Sequence, residues 1–318
     1  MSRATPTLTI AFKEVNGHKV HLDCHLPPAE HVNESVKPVP VVVWIHGGGF
    51  FDGACSDWSD VNLHATLSRG WAFVALDYRL VPQVTLEDAV QDIRDGCEFV
   101  RSGKLDEALG GRKVDGGRLA VSGSSAGGAL AVFAAYTLSP PRECAIRCHI
   151  PYDEVSSHLD RNGPVVSHSP AEVNFATMEA FNRTRACFYA IQEGKVLPWS
   201  TRVSEPIDFS NPPAELKRYV GTALVKNAKE PKKEHIPPTV CVHGSDDLMV
   251  PFALSEELVK VLKDAGVDAA LIEEKGANHG FDLIPGVYGD ATKMQVFEKA
   301  NDFIAKYILK RPFTSGGY

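Results

Sequence analysis

Leu119-Ala-Val-Ser-Gly-Ser-Ser-Ala-Gly-Gly128 is the stretch on which the reading of this chain turns. It begins as a buried strand, passes through a Gly-x-Ser-x-Gly between Gly123 and Gly127, and opens an Ala-rich helix expected to run to about Leu138. A serine at the centre of such a pattern sits on a sharp strand-to-helix turn. The flanking glycines keep side chains from colliding with the neighbouring strand and helix. The turn exposes the Ser125 hydroxyl and points at it the unpaired N–H groups of a helix N-terminus. Ser125 is therefore a candidate nucleophile, and the rest of the chain must supply a base and donors for developing negative charge.

The strands on either side give the frame. Val39-Pro-Val-Val-Val-Trp-Ile45 is a continuous apolar run of the kind shown by a strand buried on both faces, and it ends in His46-Gly-Gly-Gly-Phe50. Before it, Thr7–Val15 and His18–Leu26 flank Asn16-Gly17 and read as a hairpin. In the second arm His21, Asp23 and His25 alternate with apolar residues, and are read as a solvated strand face rather than a metal site. Residues 58–69 and the stretch opened by Pro82 and Thr85 have helical spacing, with the strand Trp71–Leu76 between them. Downstream come strands at Ile146–Ile150, Pro238–His243 and Ala269–Glu273, and helices at Pro251–Ala265 and Asp290–Leu309. Strands alternating with helices predict an α/β fold, a mostly parallel central sheet with helices on both faces. Between Pro151 and Pro237 the pattern breaks into polar loops and short helical pieces carrying Phe175, Phe181, Phe188, Tyr189, Trp199 and Tyr219. Lying between two core strands, this segment is expected to be a lid inserted into a single domain spanning residues 1–318.

Composition removes several function classes. A net charge of −7 over 318 residues argues against a nucleic-acid footprint. The 7 cysteines, at 24, 55, 97, 144, 148, 187 and 241, include only Cys144 and Cys148 at close spacing, so no zinc site is expected and the thiols are read as reduced. Met1–Val15 has no apolar signal core and no run reaches the length of a membrane span, so a cytoplasmic location is expected.

The base and donors fall where ligands bind in such sheets, on loops at the carboxyl ends of strands. His279, in Gly276-Ala-Asn-His-Gly-Phe281, follows the last strand and is the expected base. The preceding strand delivers His243-Gly-Ser-Asp-Asp-Leu-Met-Val-Pro251, where Asp246 and Asp247 compete for the role of its carboxylate partner. The glycines after His46 let backbone N–H groups approach a ligand closely, so an oxyanion hole is expected from Gly48, Gly49 and Ala126. No metal and no organic cofactor are called for.

With these residues in order, the chain resembles the α/β-hydrolase superfamily, and within it the carboxylesterases of the hormone-sensitive-lipase-like type. The pieces that carry the resemblance are His46–Phe50, Asp77–Leu80, Gly123–Gly128, His243–Pro251 and Asn278–Phe281. The Gly-x-x-Asp-x-x-Val-Pro pattern it implies assigns the acid to Asp247, completing a Ser125, Asp247, His279 order. Two departures point toward small esterases, kynurenine-formamidase-like enzymes and prolyl-oligopeptidase-type catalytic domains: Ser124 stands where the group has Asp, and the chain opens with a hairpin in place of cap helices. The resemblance implies hydrolysis of short acyl or aryl esters of small molecules through an acyl-enzyme on Ser125. Its alternatives are a thioesterase, a lactone-forming or acyl-transfer enzyme of secondary metabolism, or a formamidase. A peptidase or a non-catalytic ligand receptor ranks below these. The residues leave the oligomeric state open.

Overall fold

The computed structural model describes residues 4–81, 83–111, 113–136, 146–147, 236–283 and 291–309. The chain enters through an antiparallel hairpin of β1 (Leu8–Val15) and β2 (His18–His25), turned at Asn16 (φ 51°) and Gly17 (φ 80°). Then follow β3 (Val39–Ile45), β4 (Ala72–Leu76), β5 (Val114–Gly123), the two-residue β6 (Ile146–Arg147), β7 (Thr239–Gly244) and β8 (Ala269–Glu274). Among the described residues these form one 8-stranded sheet in the order β1-β2-β4-β3-β5-β6-β7-β8. β1, β2 and β4 pair antiparallel, and every pair from β4-β3 to β7-β8 is parallel. The sheet is mostly parallel, as the sequence predicts.

The apolar run of β3 is sorted by the pleat. Val41, Val43 and Ile45 face a core shared with α2 (Leu86–Arg101) and α4 (Ala126–Ala135), while Val42 faces the opposite core with α1 (Asp60–Leu67) and α6 (Ala291–Ile308). Helices thus cover both faces. α1 starts at Ser59, whose side chain accepts from the Asn62 amide. α2 starts at Thr85 with a reciprocal capping box to Asp88. α4 (AGGALAVFAA) is buried along its whole length, which is why it carries no polar face. A short helix, α3 (Lys104–Ala108), and α5 (Phe252–Asp264) complete the described set.

One expectation is corrected. Asp23 and His25 on β2 are buried, not solvated. The Thr9 hydroxyl donates to Asp23, and the His25 ring meets Trp58 edge-on at 4.6 Å. β2 is an interior strand, and residues just before α1 cover the face that alternation alone leaves open. The strand leading to Ser125 also starts earlier than expected, at Val114, because Val39 pairs there. The expected lid at 151–237 lies outside the described residues except for Ile236 and Pro237, as do Cys144, Cys148 and Cys187. Cys24, Cys55, Cys97 and Cys241 are buried thiols that form no disulfide among the described residues. Among the described residues no helix is long and apolar enough to cross a membrane.

Candidate functional site

The site is built where β3, β5, β7 and β8 end. Ser125 leaves β5 at φ 52° and ψ −128°, a conformation open to a side chain only when its surroundings hold it there. Several hydrogen bonds do so: the Ser124 amide donates to Ile45 O (3.2 Å), the Gly127 amide to Ser124 O (2.8 Å) and the Gly128 amide to Ser125 O (2.8 Å). Gly127 is required by contact. A Cβ there would lie 2.2 Å from Ile45 O and 2.4 Å from His46 O. The nucleophile turn therefore rests directly on the backbone that becomes the glycine loop.

That loop runs through Gly48 (φ 99°), Gly49 (φ 62°) and Phe50 (φ 72°). It closes on itself by the Phe51 and Asp52 amides donating to Gly48 O, at 3.0 and 3.1 Å. His46 is buried beneath it, its Nδ1–H donating to Gly47 O at 2.8 Å and its ring stacked on Tyr78 at 4.2 Å. Burial pulls the His46 pKa down against the Gly47 hydrogen bond and nearby carboxylates, so the ring is neutral. The Tyr78 hydroxyl donates to Gly47 O at 3.1 Å from the other side. Ala126 is the first residue of α4, and its amide is one that a helix leaves without an intrahelical acceptor. A Cβ on Gly47 would lie 3.0 Å from Ser125 Cβ, so the segment that carries Gly48 and Gly49 leaves β3 directly beside the nucleophile turn and Ala126.

From the opposite side come the ends of β7 and β8. His279 Nε2 lies 3.0 Å from Ser125 Oγ, and His279 Nδ1 lies 2.8 Å from Asp247 Oδ2. A carboxylate only accepts, so Nδ1 of the neutral ring carries the proton and Nε2 accepts from the serine hydroxyl. Asp247 Oδ1 accepts from the Met249 and Val250 amides at 2.9 and 2.8 Å. Burial raises the Asp247 pKa, but hydrogen bonds from His243, His279 and the Val250 amide outweigh it and hold the carboxyl well below the usual range. Asp246 is exposed and points elsewhere, its Oδ1 accepting from the Ser245 hydroxyl at 3.1 Å. Its backbone is tied to the β8 loop, the Asp246 amide donating to Ala277 O at 3.0 Å.

The structure thus brings Ser125, Asp247 and His279 into one hydrogen-bonded chain and leaves Asp246 outside it. One residue in contact with this chain was not singled out from the sequence. His243, at the end of β7, reaches Asp247 Oδ2 with its Nε2 at 3.2 Å. Its spacing of i, i+4 from Asp247 is the only sequence signal, and it reads equally well as a strand end. Among the described residues no group of His, Cys, Asp or Glu is arranged to hold a metal ion.

A BD-FAE family model matches residues 22–174, and the prolyl oligopeptidase family model matches residues 189–311. The chain has the α/β-hydrolase fold. This α/β-hydrolase shares its fold with Thermogutta terrifontis esterase 2, solved as the sarin-phosphonylated form, at a TM-score of 0.62 and 20% identity, covering 94% of each chain. By sequence it is 26% identical over 86% of its length to non-reducing polyketide synthase Preu6 of Preussia isomera. It is 25% identical over 81% of its length to "Probable isoprenylcysteine alpha-carbonyl methylesterase ICME" of Oryza sativa subsp. japonica. The α/β-hydrolase spans 14% of the length of the polyketide synthase and 54% of the length of the methylesterase.

Proposed function

We propose that this α/β-hydrolase is a serine hydrolase of small-molecule carboxylic esters, with Ser125 as nucleophile, His279 as general base and acid, and Asp247 as the partner that orients the imidazole. The observation that carries the reading is the hydrogen-bond chain from Ser125 Oγ through His279 to Asp247, at 3.0 and 2.8 Å. Ser125 Oγ bonds to the carbonyl carbon of the ester as its proton passes to His279 Nε2. The oxygen of the tetrahedral intermediate takes hydrogen bonds from the amides of Ala126, Gly48 and Gly49. Collapse breaks the bond to the alcohol, which leaves with the proton held on Nε2. A water then gives its proton to Nε2, attacks the acyl-enzyme and frees the acid. The ionised Asp247 favours the imidazolium at both steps. The likeness to an esterase by fold and to a probable methylesterase by sequence supports this reading.

The matches to polyketide synthases over most of this chain favour a second reading, release or transfer of an acyl group from a thioester in small-molecule biosynthesis. The chemistry at Ser125 is the same and only the leaving group differs. Hydrolysis of p-nitrophenyl esters of increasing chain length, beside an aryl thioester of N-acetylcysteamine, separates the two. The ester reading expects turnover of short p-nitrophenyl esters by the wild type and none by Ser125→Ala. Preference for the thioester moves the assignment to the second reading. Equal turnover by wild type and Ser125→Ala overturns both, and so does failure of a fluorophosphonate to label Ser125.

A further inference from the structure

We infer that His243 is a positioning residue for the reaction, a second imidazole that fixes the orientation of Asp247 while His279 exchanges protons with the substrate; the inference rests on the hydrolase reading of the site. His243 is the penultimate residue of β7, a strand buried over its full length, and the ring has partners at both nitrogens. Nε2 faces two acceptors, Asp247 Oδ2 at 3.2 Å and the Val250 carbonyl at 3.0 Å. Neither of those oxygens has a proton to offer, so Nε2 holds the hydrogen and donates. Nδ1 lies 2.7 Å from the hydroxyl of Ser255, which is fully buried in α5. A hydroxyl donates to a neutral ring and accepts from a cationic one. The hydrogen on Nε2 is therefore available to Asp247 while the Ser255 hydroxyl matches Nδ1.

The consequence lies in the carboxylate. Asp247 receives two amides on Oδ1 and two imidazoles on Oδ2. With all four donors in place, any rotation of the carboxylate weakens at least one of the bonds. Without His243, Oδ2 answers to His279 alone, and the carboxylate can pivot about the Oδ1 that the two amides hold. An imidazole that must shuttle a proton between serine and leaving group works best against a partner that does not follow it. A residue serving only to pack the end of a buried strand has no need of a ring with two polar atoms, each of which must be matched on burial.

The test uses the full chain and a short p-nitrophenyl ester. His243→Leu removes the donor, whereas the amide nitrogen of His243→Gln reaches the place of Nε2 and restores it. Loss of a hydrogen bond to a charged group predicts a fall in kcat of about 10- to 100-fold for His243→Leu, with KM within about twofold of wild type. Recovery to within about fivefold of wild type is expected for His243→Gln. Should His243→Leu not fold, His243→Asn, too short to reach Oδ2, carries the same comparison. A folded Leu or Asn variant with wild-type kcat overturns the inference, as does a Gln variant no better than Leu. A wild-type protein with no acyl hydrolase activity overturns the hydrolase reading instead.

Discussion

Asn278 ties the loop of the acid to the loop of the base: its Oδ1 accepts from the Leu248 amide at 3.2 Å and from the amide of His279 at 2.7 Å. One side-chain oxygen thereby sets the spacing between the residue after Asp247 and the backbone of His279. The link is exposed, so its loss leaves the core intact. Asn278→Ala is expected to lower kcat on a short p-nitrophenyl ester by about three- to tenfold, the worth of an ordinary hydrogen bond, with a melting temperature within a few degrees of wild type. An unchanged kcat would place the two loops under the control of other contacts.

The two adjacent aspartates separate cleanly by mutation. Asp247→Asn presents an amide to His279 Nδ1 and favours the wrong tautomer, which in triads of this kind costs on the order of 10⁴ in kcat. Asp246→Asn changes an exposed side chain that accepts from the neighbouring Ser245 hydroxyl and leaves the backbone bond to Ala277 O in place, and is expected to stay within about twofold. Steady-state rates of the two variants side by side decide the matter, and the reverse order would move the acid by one position.

Asp247 also predicts a pH dependence of stability. Its folded pKa is depressed below the unfolded value of about 3.9. The stabilisation from its ionised form is then complete above that value and is lost as pH falls below it. The gap in melting temperature between wild type and Asp247→Asn should narrow as pH falls below about 4. A gap that widened toward acid would contradict the sign.

Glycines divide into those held by contact and those held by conformation. Gly127→Ala drives a Cβ to 2.2 Å from Ile45 O, backbone against backbone, and is expected to cost more than about 3 kcal/mol. Gly266→Ala meets open space at φ 77° and should cost about 1–2 kcal/mol, the ordinary penalty of the left-handed region. Urea denaturation of the two variants measures both, and equal losses would remove the steric argument.

Asp92 offers a test remote from the site. Its fully buried carboxylate accepts from the Arg79 amide (3.0 Å), Arg79 Nε (2.8 Å), Arg79 Nη2 (2.9 Å) and Lys13 Nζ (2.7 Å), joining β1, α2 and the loop after β4. Asp92→Ala leaves Lys13 with Asp95 and Arg79 with the more distant Asp88 (3.8 Å), and is expected to destabilise by about 3 kcal/mol. A loss below 1 kcal/mol on chemical denaturation would show that water takes over the role of the carboxylate.

Much of the fold was legible because strands buried on both faces write continuous apolar runs, and β3 and β4 are such runs. The hairpin was legible because Asn16-Gly17 suits only a turn with positive φ. The reading of β2 failed at Asp23 and His25 because alternation reports that two faces differ, not what covers the second one. The cover comes from Trp58, more than thirty residues away in sequence and close only after folding. His243 escaped for a related reason. A histidine in a buried strand reads as an unremarkable core residue until the loop that follows curls back to place Asp247 and Val250 on its ring. Ser125, Asp247 and His279 were legible because each stands at the end of a strand within a short motif, and position along the chain carries that signal without knowledge of contacts.

The backbone contact at Gly127 has a mechanical consequence. With no side chain between them, the nucleophile turn and the carbonyls of Ile45 and His46 behave as a stiff coupling, not as two loops that drift independently. Catalytic competence should then survive warming undiminished until β3 and β5 part, and vanish with them in a single step. An enzyme whose site hung on freely moving loops would instead fade well before its core gave way.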